Sequence, residues 1–161
     1  MGQKLLELIE ALSPENVILA DTPFLIYHLG DIKPYSDITT EIMDSAGAKN
    51  SKIFLSLISY TEILMGILNQ KKPEAEKNFK DFIKNNSFIE IIDFKYEISD
   101  IAAGIRSENN LGLADSIIIA TALKNNIKFL ITNDSQFLKV KNKDLKIILL
   151  DTLVDKPIRN S

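Results

Sequence analysis

Apolar positions along the chain follow two rhythms. Val17 to Asp21, Ile53 to Ser59, Ser87 to Phe94, Lys128 to Thr132 and Lys146 to Leu150 are short runs rich in Ile, Leu and Phe, the length of buried strands. Between them, apolar residues fall three and four apart, which predicts helices. Leu5, Leu6, Ile9 and Leu12, interleaved with Glu7 and Glu10, give an amphipathic helix over about 2–12. Thr22-Pro23 opens a helix that runs to about Leu29, with Pro suited to a first turn and Gly30 as its stop. Asp37 is a cap for a helix carrying Ile38, Ile42, Met43 and Ala46, and Glu62 falls in the first turn of the helix after the second strand. Phe79, Phe82 and Ile83 mark the inward face of a helix after Lys72-Pro73. Two more helices follow, from about Tyr96 to Arg106 and from about Ala114 to Leu123. About five strands separated mostly by helices predict an α/β fold, a three-layer α/β/α sandwich whose central parallel sheet is covered on both faces.

Four acids interrupt this apolar pattern. Asp115 sits in Leu113-Ala114-Asp115-Ser116-Ile117-Ile118-Ile119-Ala120, Asp21 ends the first strand, Glu62 follows the second, and Asp134 follows Phe129-Leu130-Ile131-Thr132-Asn133. None has a basic neighbour in sequence, and unpaired buried charge is costly, so a bound cation is one way to compensate them. In open parallel sheets ligands gather beyond the carboxyl ends of the strands, where strand order reverses, and four acids from four distant segments can converge there. Each acid also has a structural reading. Asp21 or Thr22 can cap a helix, Glu62 can complement a helix dipole, Asp115 can cap its helix, and Asn133-Asp134 can form a turn.

Composition narrows the chemistry. The chain has 161 residues, 45% of them apolar and 25% charged, which fits a single globular domain spanning 1–161 with a tail over about 152–161, where Pro157 discourages a long final helix. With no cysteine there is no thiolate ligand, disulfide or cysteine nucleophile, and the single His28 rules out a multi-histidine zinc site; a bound metal is therefore a hard, oxygen-held ion, Mg²⁺ or Mn²⁺. The first helix lacks the unbroken apolar core of a signal peptide and no stretch approaches the ~20 apolar residues of a membrane span, so the expected location is cytoplasmic. The net charge of -3 gives no general attraction to nucleic acid. Local lysine groups remain: Lys71, Lys72, Lys77, Lys80 and Lys84, and then Lys139, Lys141, Lys143 and Lys146, although Glu76 can pair with Lys80 at helical spacing. Arg106, shortly before Asp115, is the candidate phosphate contact, and His28 reads as structural.

At the four acidic segments the chain resembles the PIN-domain family. The matching residues are Asp21-Thr22, Tyr60-Thr61-Glu62-Ile63-Leu64, Leu113-Ala114-Asp115-Ser116 with Ala120-Thr121-Ala122-Leu123, and Thr132-Asn133-Asp134 with Phe137. The likeness spans about Val17 to Asp151. Pro23 stands where the family often has Asn or Ser, and Ser116 where it often has Ala; the first helix is an addition to the compact family form. The resemblance implies a metal-dependent ribonuclease of the VapC-like type, the toxin of a toxin-antitoxin pair. It implies Asp21, Glu62, Asp115 and Asp134 as ligands of one or two Mg²⁺ or Mn²⁺ ions, with Thr22 and Thr132 contacting phosphate or the water on the metal. An antitoxin protein and a second copy of the chain are the implied partners beside the RNA substrate.

Two other classes compete. One is a PIN scaffold that binds RNA or a protein without cutting, against which the complete acid set argues. The other is a phosphotransfer domain on a related sheet, but Asp21-Thr22-Pro23 lacks the second Asp of a dehalogenase-like hydrolase, and the acidic pair of a response-regulator receiver is missing. A large structure-specific 5′ nuclease needs helical elements for which the chain has no room.

Overall fold

The computed structural model describes residues 1–155; the part of the expected tail at 156–161 lies outside the described residues. The elements run α1 (Gln3–Ala11), β1 (Ile18–Ala20), α2 (Thr22–Leu29), α3 (Tyr35–Ala48), β2 (Ile53–Ser56), α4 (Leu57–Asn69) and α5 (Pro73–Asn85). They continue with β3 (Ile89–Ile92), α6 (Tyr96–Asn109), α7 (Leu113–Lys124), β4 (Phe129–Thr132) and β5 (Lys146–Leu149). Five strands form one parallel sheet in the order β3-β2-β1-β4-β5. The three-layer α/β/α sandwich expected from the alternation is therefore present.

Strand order turns at β1. The chain moves from β1 outward to β2 and β3, then returns across the sheet to place β4 on the other side of β1. Because parallel crossovers keep one hand, progress in opposite directions puts the connecting helices on opposite faces. Two apolar clusters result. Ile18, Ala20, Ile53, Leu55, Phe129 and Ile131 face α1 to α5, whereas Leu19 and Leu130 face α6 and α7. That alternation is the period-two geometry of a strand, apolar on both sides because both faces are covered. Phe24 of α2 is fully buried in the first cluster, a burial that stabilises by about 1.5–3 kcal/mol.

The first helix packs Leu5, Leu8 and Leu12 into the same cluster, with Leu153. A short 3₁₀ turn, Leu150–Thr152, follows β5, and Leu153 is buried, so the chain is docked up to that residue.

Two boundaries differ from the sequence reading, with consequences. Asp37 lies inside the first turn of α3, where it pairs with Lys33, and the cap position belongs to Pro34. The apolar run Ile53 to Ser59 is not one strand. Ser56 ends β2 and accepts a hydrogen bond from the Ser59 N–H at 3.0 Å, starting α4 at Leu57. Glu62 accordingly sits in the second turn of α4, not the first. Ser56→Ala should cost about 1 kcal/mol, the usual worth of a cap, read as a lower urea midpoint at unchanged slope. An unchanged midpoint would assign the start of α4 to packing alone.

Candidate active site

The carboxyl edge of the sheet carries the acids. Asp21 follows β1 directly, and its N–H donates to Ile131 O at 2.8 Å, which prolongs the β1–β4 ladder by one residue and sets Asp21 beside Thr132. Its side chain is only 5% exposed. Asp21 Oδ1 accepts from the Thr22 N–H at 2.7 Å and Oδ2 from the Thr132 hydroxyl at 2.6 Å. The helix-cap reading of Asp21 is thus realised, and it does not exclude the other: the capped carboxylate faces the remaining acids. Pro23 fits the first turn of α2, where a missing N–H costs nothing.

Thr132 links two acids. Fully buried, it donates to Asp21 and accepts the Asp134 N–H at 3.0 Å. Expected to touch phosphate or water, it instead spends its hydroxyl inside the protein and acts through its acidic neighbours. Asp134 is exposed and accepts from the Gln136 N–H at 2.8 Å, capping a 3₁₀ turn over Ser135–Lys139. From the opposite side the Thr22 hydroxyl donates to Glu62 Oε2, so this threonine too is engaged with an acid. Asp115 occupies the first turn of α7, whose cap position is Gly112 with no side-chain cap. A Cβ on Gly112 would stand 3.0 Å from Asp115 Oδ2, so glycine leaves the carboxylate room to turn back over the helix start. Ser116, buried one residue on, satisfies its hydroxyl on Gly112 O at 2.8 Å.

The electrostatics show that the four acids share one neighbourhood. Burial raises the Asp21 pKa from 3.8 to about 6; the hydrogen bonds from Thr132 and Thr22 oppose the rise, and the charges of Glu62 and Asp115 add to it. Burial also raises the Asp115 carboxyl, helped by Asp134 and Glu62. Among the described residues none of the four takes part in an ion pair. A buried carboxylate with acidic neighbours and no cationic partner is the condition that a hard cation relieves, and an all-oxygen donor set is what Mg²⁺ or Mn²⁺ takes. Donor type and number fit such an ion. Spacing is looser: among the described residues no three acidic side chains stand grouped to hold one ion.

Other expected contacts fall elsewhere. Arg106 is exposed at the end of α6 and donates through Nη1 to Leu111 O at 2.6 Å, tying down the turn before α7; among the described residues it forms no ion pair with the acids. His28 is half-buried against Phe82, with Nδ1 3.4 Å from the hydroxyls of Thr39 and Thr40, and burial lowers its pKa. Lys77 and Lys80 pair with Asp81 and Glu76 along α5 at 2.9 and 2.5 Å. Lys143 and Lys146 line a cavity with Lys128 at the amino edge of the sheet, a strand length of about 13 Å from the acids. The sequence reading gave Asn133 only a turn and singled out none of Tyr27, Tyr35 and Asp151; Tyr35 stacks on Tyr27 and hydrogen-bonds Asp151, which in turn pairs with Asn133. An acid directly after β5, like those after β1 and β4, was the available signal for Asp151.

An open parallel α/β sheet with an acid-lined carboxyl edge at its switch point is the class of protein that these features define. The PIN domain family model matches residues 18–143, and the chain belongs to that family. No curated protein matches it. Among solved structures it is similar to VapBC2 from Rickettsia felis bound to a promoter DNA fragment, with 22% identity, a TM-score of 0.65, and coverage of 83% of this chain and 98% of that one. A toxin-antitoxin complex from Klebsiella pneumoniae aligns at 25% identity and a TM-score of 0.60 over 83% and 97% of the two chains. FitAcB from Neisseria gonorrhoeae aligns at 20% identity and 0.63 over 81% and 96%.

Proposed function

We propose that this protein is a Mg²⁺- or Mn²⁺-dependent endoribonuclease of the cytoplasm and the toxin of a toxin-antitoxin pair. The observation that carries the reading is Asp21: a carboxylate buried at the switch point, pushed up to about 6, among Glu62, Asp115 and Asp134 and without a cationic partner. Membership of the PIN family and likeness to toxin-antitoxin complexes support it. Among the described residues no helix is long and apolar enough to cross a membrane.

Asp21, Glu62, Asp115 and Asp134 are the residues that hold the ion. A hard cation held there would lower the pKa of a bound water and offset negative charge on the scissile phosphate. The chain does the rest by positioning. Thr132 fixes the Asp21 carboxylate and the Asp134 backbone in one frame, so two acids from adjacent strands cannot drift apart. Thr22 restrains Glu62 from α2, and its half-buried hydroxyl is the one of the two threonines with access to a phosphate oxygen. The missing side chain at Gly112 leaves room for the Asp115 carboxylate. Exposed Ile26 and Leu29 of α2 and Met65 and Leu68 of α4 supply apolar surface for an antitoxin.

The test is cleavage of a mixed RNA pool with Mg²⁺ or Mn²⁺, with an EDTA control and Asp115→Asn as a second control. Cleavage should need both metal and Asp115. Persistence of cutting in EDTA would reject the metal role. The looser spacing of the acids favours a second reading, a non-catalytic scaffold for RNA or a protein. No cleavage, together with no Mn²⁺ binding by calorimetry, would select it.

A further inference from the structure

An open cavity of about 590 Å³ is lined by Lys4, Pro34, Tyr35, Asp151, Thr152 and Val154, and Asp151 joins it to the acid-bearing edge through its hydrogen bonds with Asn133 beside Asp134. Lys4, Asp151, Thr152 and Val154 of its wall lie outside the residues 18–143 that the family model matches. We propose that the cavity is a nucleobase subsite, which takes a base bearing an exocyclic amino group from the single-stranded RNA lying across the acids and disfavours uracil. The inference rests on the ribonuclease reading.

Position comes first. Asp151 follows β5, and Asp151 N–H donates to Asn133 Oδ1 at 3.0 Å while Asn133 Nδ2 donates to Asp151 Oδ1 at 3.2 Å. Asn133 lies between Thr132 and Asp134, so the cavity is bolted to the acid frame. In the order β1-β4-β5, Asp151 is two strand spacings from Asp21, about 10 Å. A strand of RNA with its phosphate at the acids can place a neighbouring base there.

Chemistry comes second. Tyr35 stacks on Tyr27 with ring centroids 4.5 Å apart and planes 19° apart, and its hydroxyl donates to Asp151 Oδ1. The ring is thereby held from two directions, and a rigid aromatic wall is what proteins use to stack unpaired bases. Asp151 Oδ1 already accepts from Tyr35 and Asn133; among the described residues Oδ2 has no hydrogen-bond partner. An ionised carboxylate only accepts. It accepts from the exocyclic amino group of guanine, adenine or cytosine, whereas uracil has no amino group and offers only an N3–H flanked by two carbonyls that the carboxylate repels. Lys4 adds a flexible cation for the adjoining phosphate.

The test measures binding of 5′-fluorescein-labelled RNA hexamers by anisotropy, in EDTA and low salt so that nothing is cut. Hexauridylate is compared with the same hexamer carrying one guanosine, adenosine or cytidine. The amino-bearing hexamers should bind about tenfold more tightly. Asp151→Asn keeps an oxygen for Tyr35 and Asn133 but turns an amide donor toward the cavity, so the preference should reverse in favour of hexauridylate. A merely structural Asp151 would not reverse it. Tyr35→Phe keeps the ring and should retain affinity while losing discrimination; Tyr35→Ala should weaken every hexamer. Equal binding of all hexamers, or an Asp151→Asn protein with unchanged preference, would overturn the subsite and leave the cavity to a protein partner. The two readings fail separately: base preference without metal-dependent cleavage removes only the nuclease, and cleavage without base preference removes only the subsite.

Discussion

Asp21→Asn is expected to melt higher than the wild-type protein at neutral pH while cutting RNA at least about 10²-fold more slowly, the loss seen when one group that stabilises transition-state charge is removed. The two effects share a cause. The folded protein raises the Asp21 pKa from 3.8 to about 6, so it holds that proton more tightly than the unfolded chain does. Ionising Asp21 therefore opposes folding. The penalty is absent below about pH 4, grows as pH rises through the interval to 6, and is complete above it, reaching about 3 kcal/mol for a shift of this size. Asparagine removes the charge but keeps only one acceptor for the donors on Thr22 and Thr132, which returns part of the gain. A net stabilisation of about 1–2 kcal/mol remains, worth roughly 3–6 °C in a chain of this length. Thermal melts of metal-free protein from pH 4 to pH 7 should show the gap opening as pH rises. Mn²⁺ should raise the wild-type melting temperature and leave the variant nearly unchanged. A variant that melts lower than wild type at pH 7 would make the Asp21 carboxylate a structural cap and remove the argument for a cation.

Such a charge was legible because it broke a pattern. Asp21 and Asp134 end short apolar runs bounded by turn residues, the length of buried strands, and Asp115 interrupts a helix that is apolar nearly all round, so their place at one sheet edge follows from the alternation of elements. Glu62 was placed one turn too early, because Leu57, Ile58 and Ser59 continue the apolar run of β2 and periodicity alone cannot separate a buried strand from the helix after it. The Ser56 side chain decides that boundary, and a cap of this kind is one hydroxyl in a run that already contains two serines. Arg106 was singled out for its nearness to Asp115 in sequence, and its guanidinium donates to Leu111 O in the turn between the two. The Tyr35–Asp151 contact joins residues 116 positions apart, and no local pattern encodes it. What sequence revealed was charge out of place; what it hid was the set of neutral donors that orient the charge.

Thr132 is the strongest case of such a donor, and Thr132→Val should lose both stability and activity although the shape is nearly kept. The hydroxyl is fully buried and serves twice, donating to Asp21 Oδ2 and accepting the Asp134 N–H. Valine leaves a buried carboxylate oxygen and a backbone N–H without partners. The combined cost is about 3 kcal/mol, a large part of a domain's net stability. The chemical effect has a sign of its own. The Thr132 hydrogen bond lowers the Asp21 pKa against the rise caused by burial, so its removal must push that pKa further above 6. Asp21 then stays protonated to higher pH, and the acidic limb of the kcat/KM profile should move to higher pH in the variant. Thr132→Ser supplies the control, because it keeps the oxygen and removes only a buried methyl, at about 1 kcal/mol. Its profile should overlie the wild type even as its melting temperature falls slightly. If valine and serine lowered stability alike and left the acidic limb in place, Thr132 would be a packing residue, and the orientation of Asp21 would have to come from the Thr22 N–H alone.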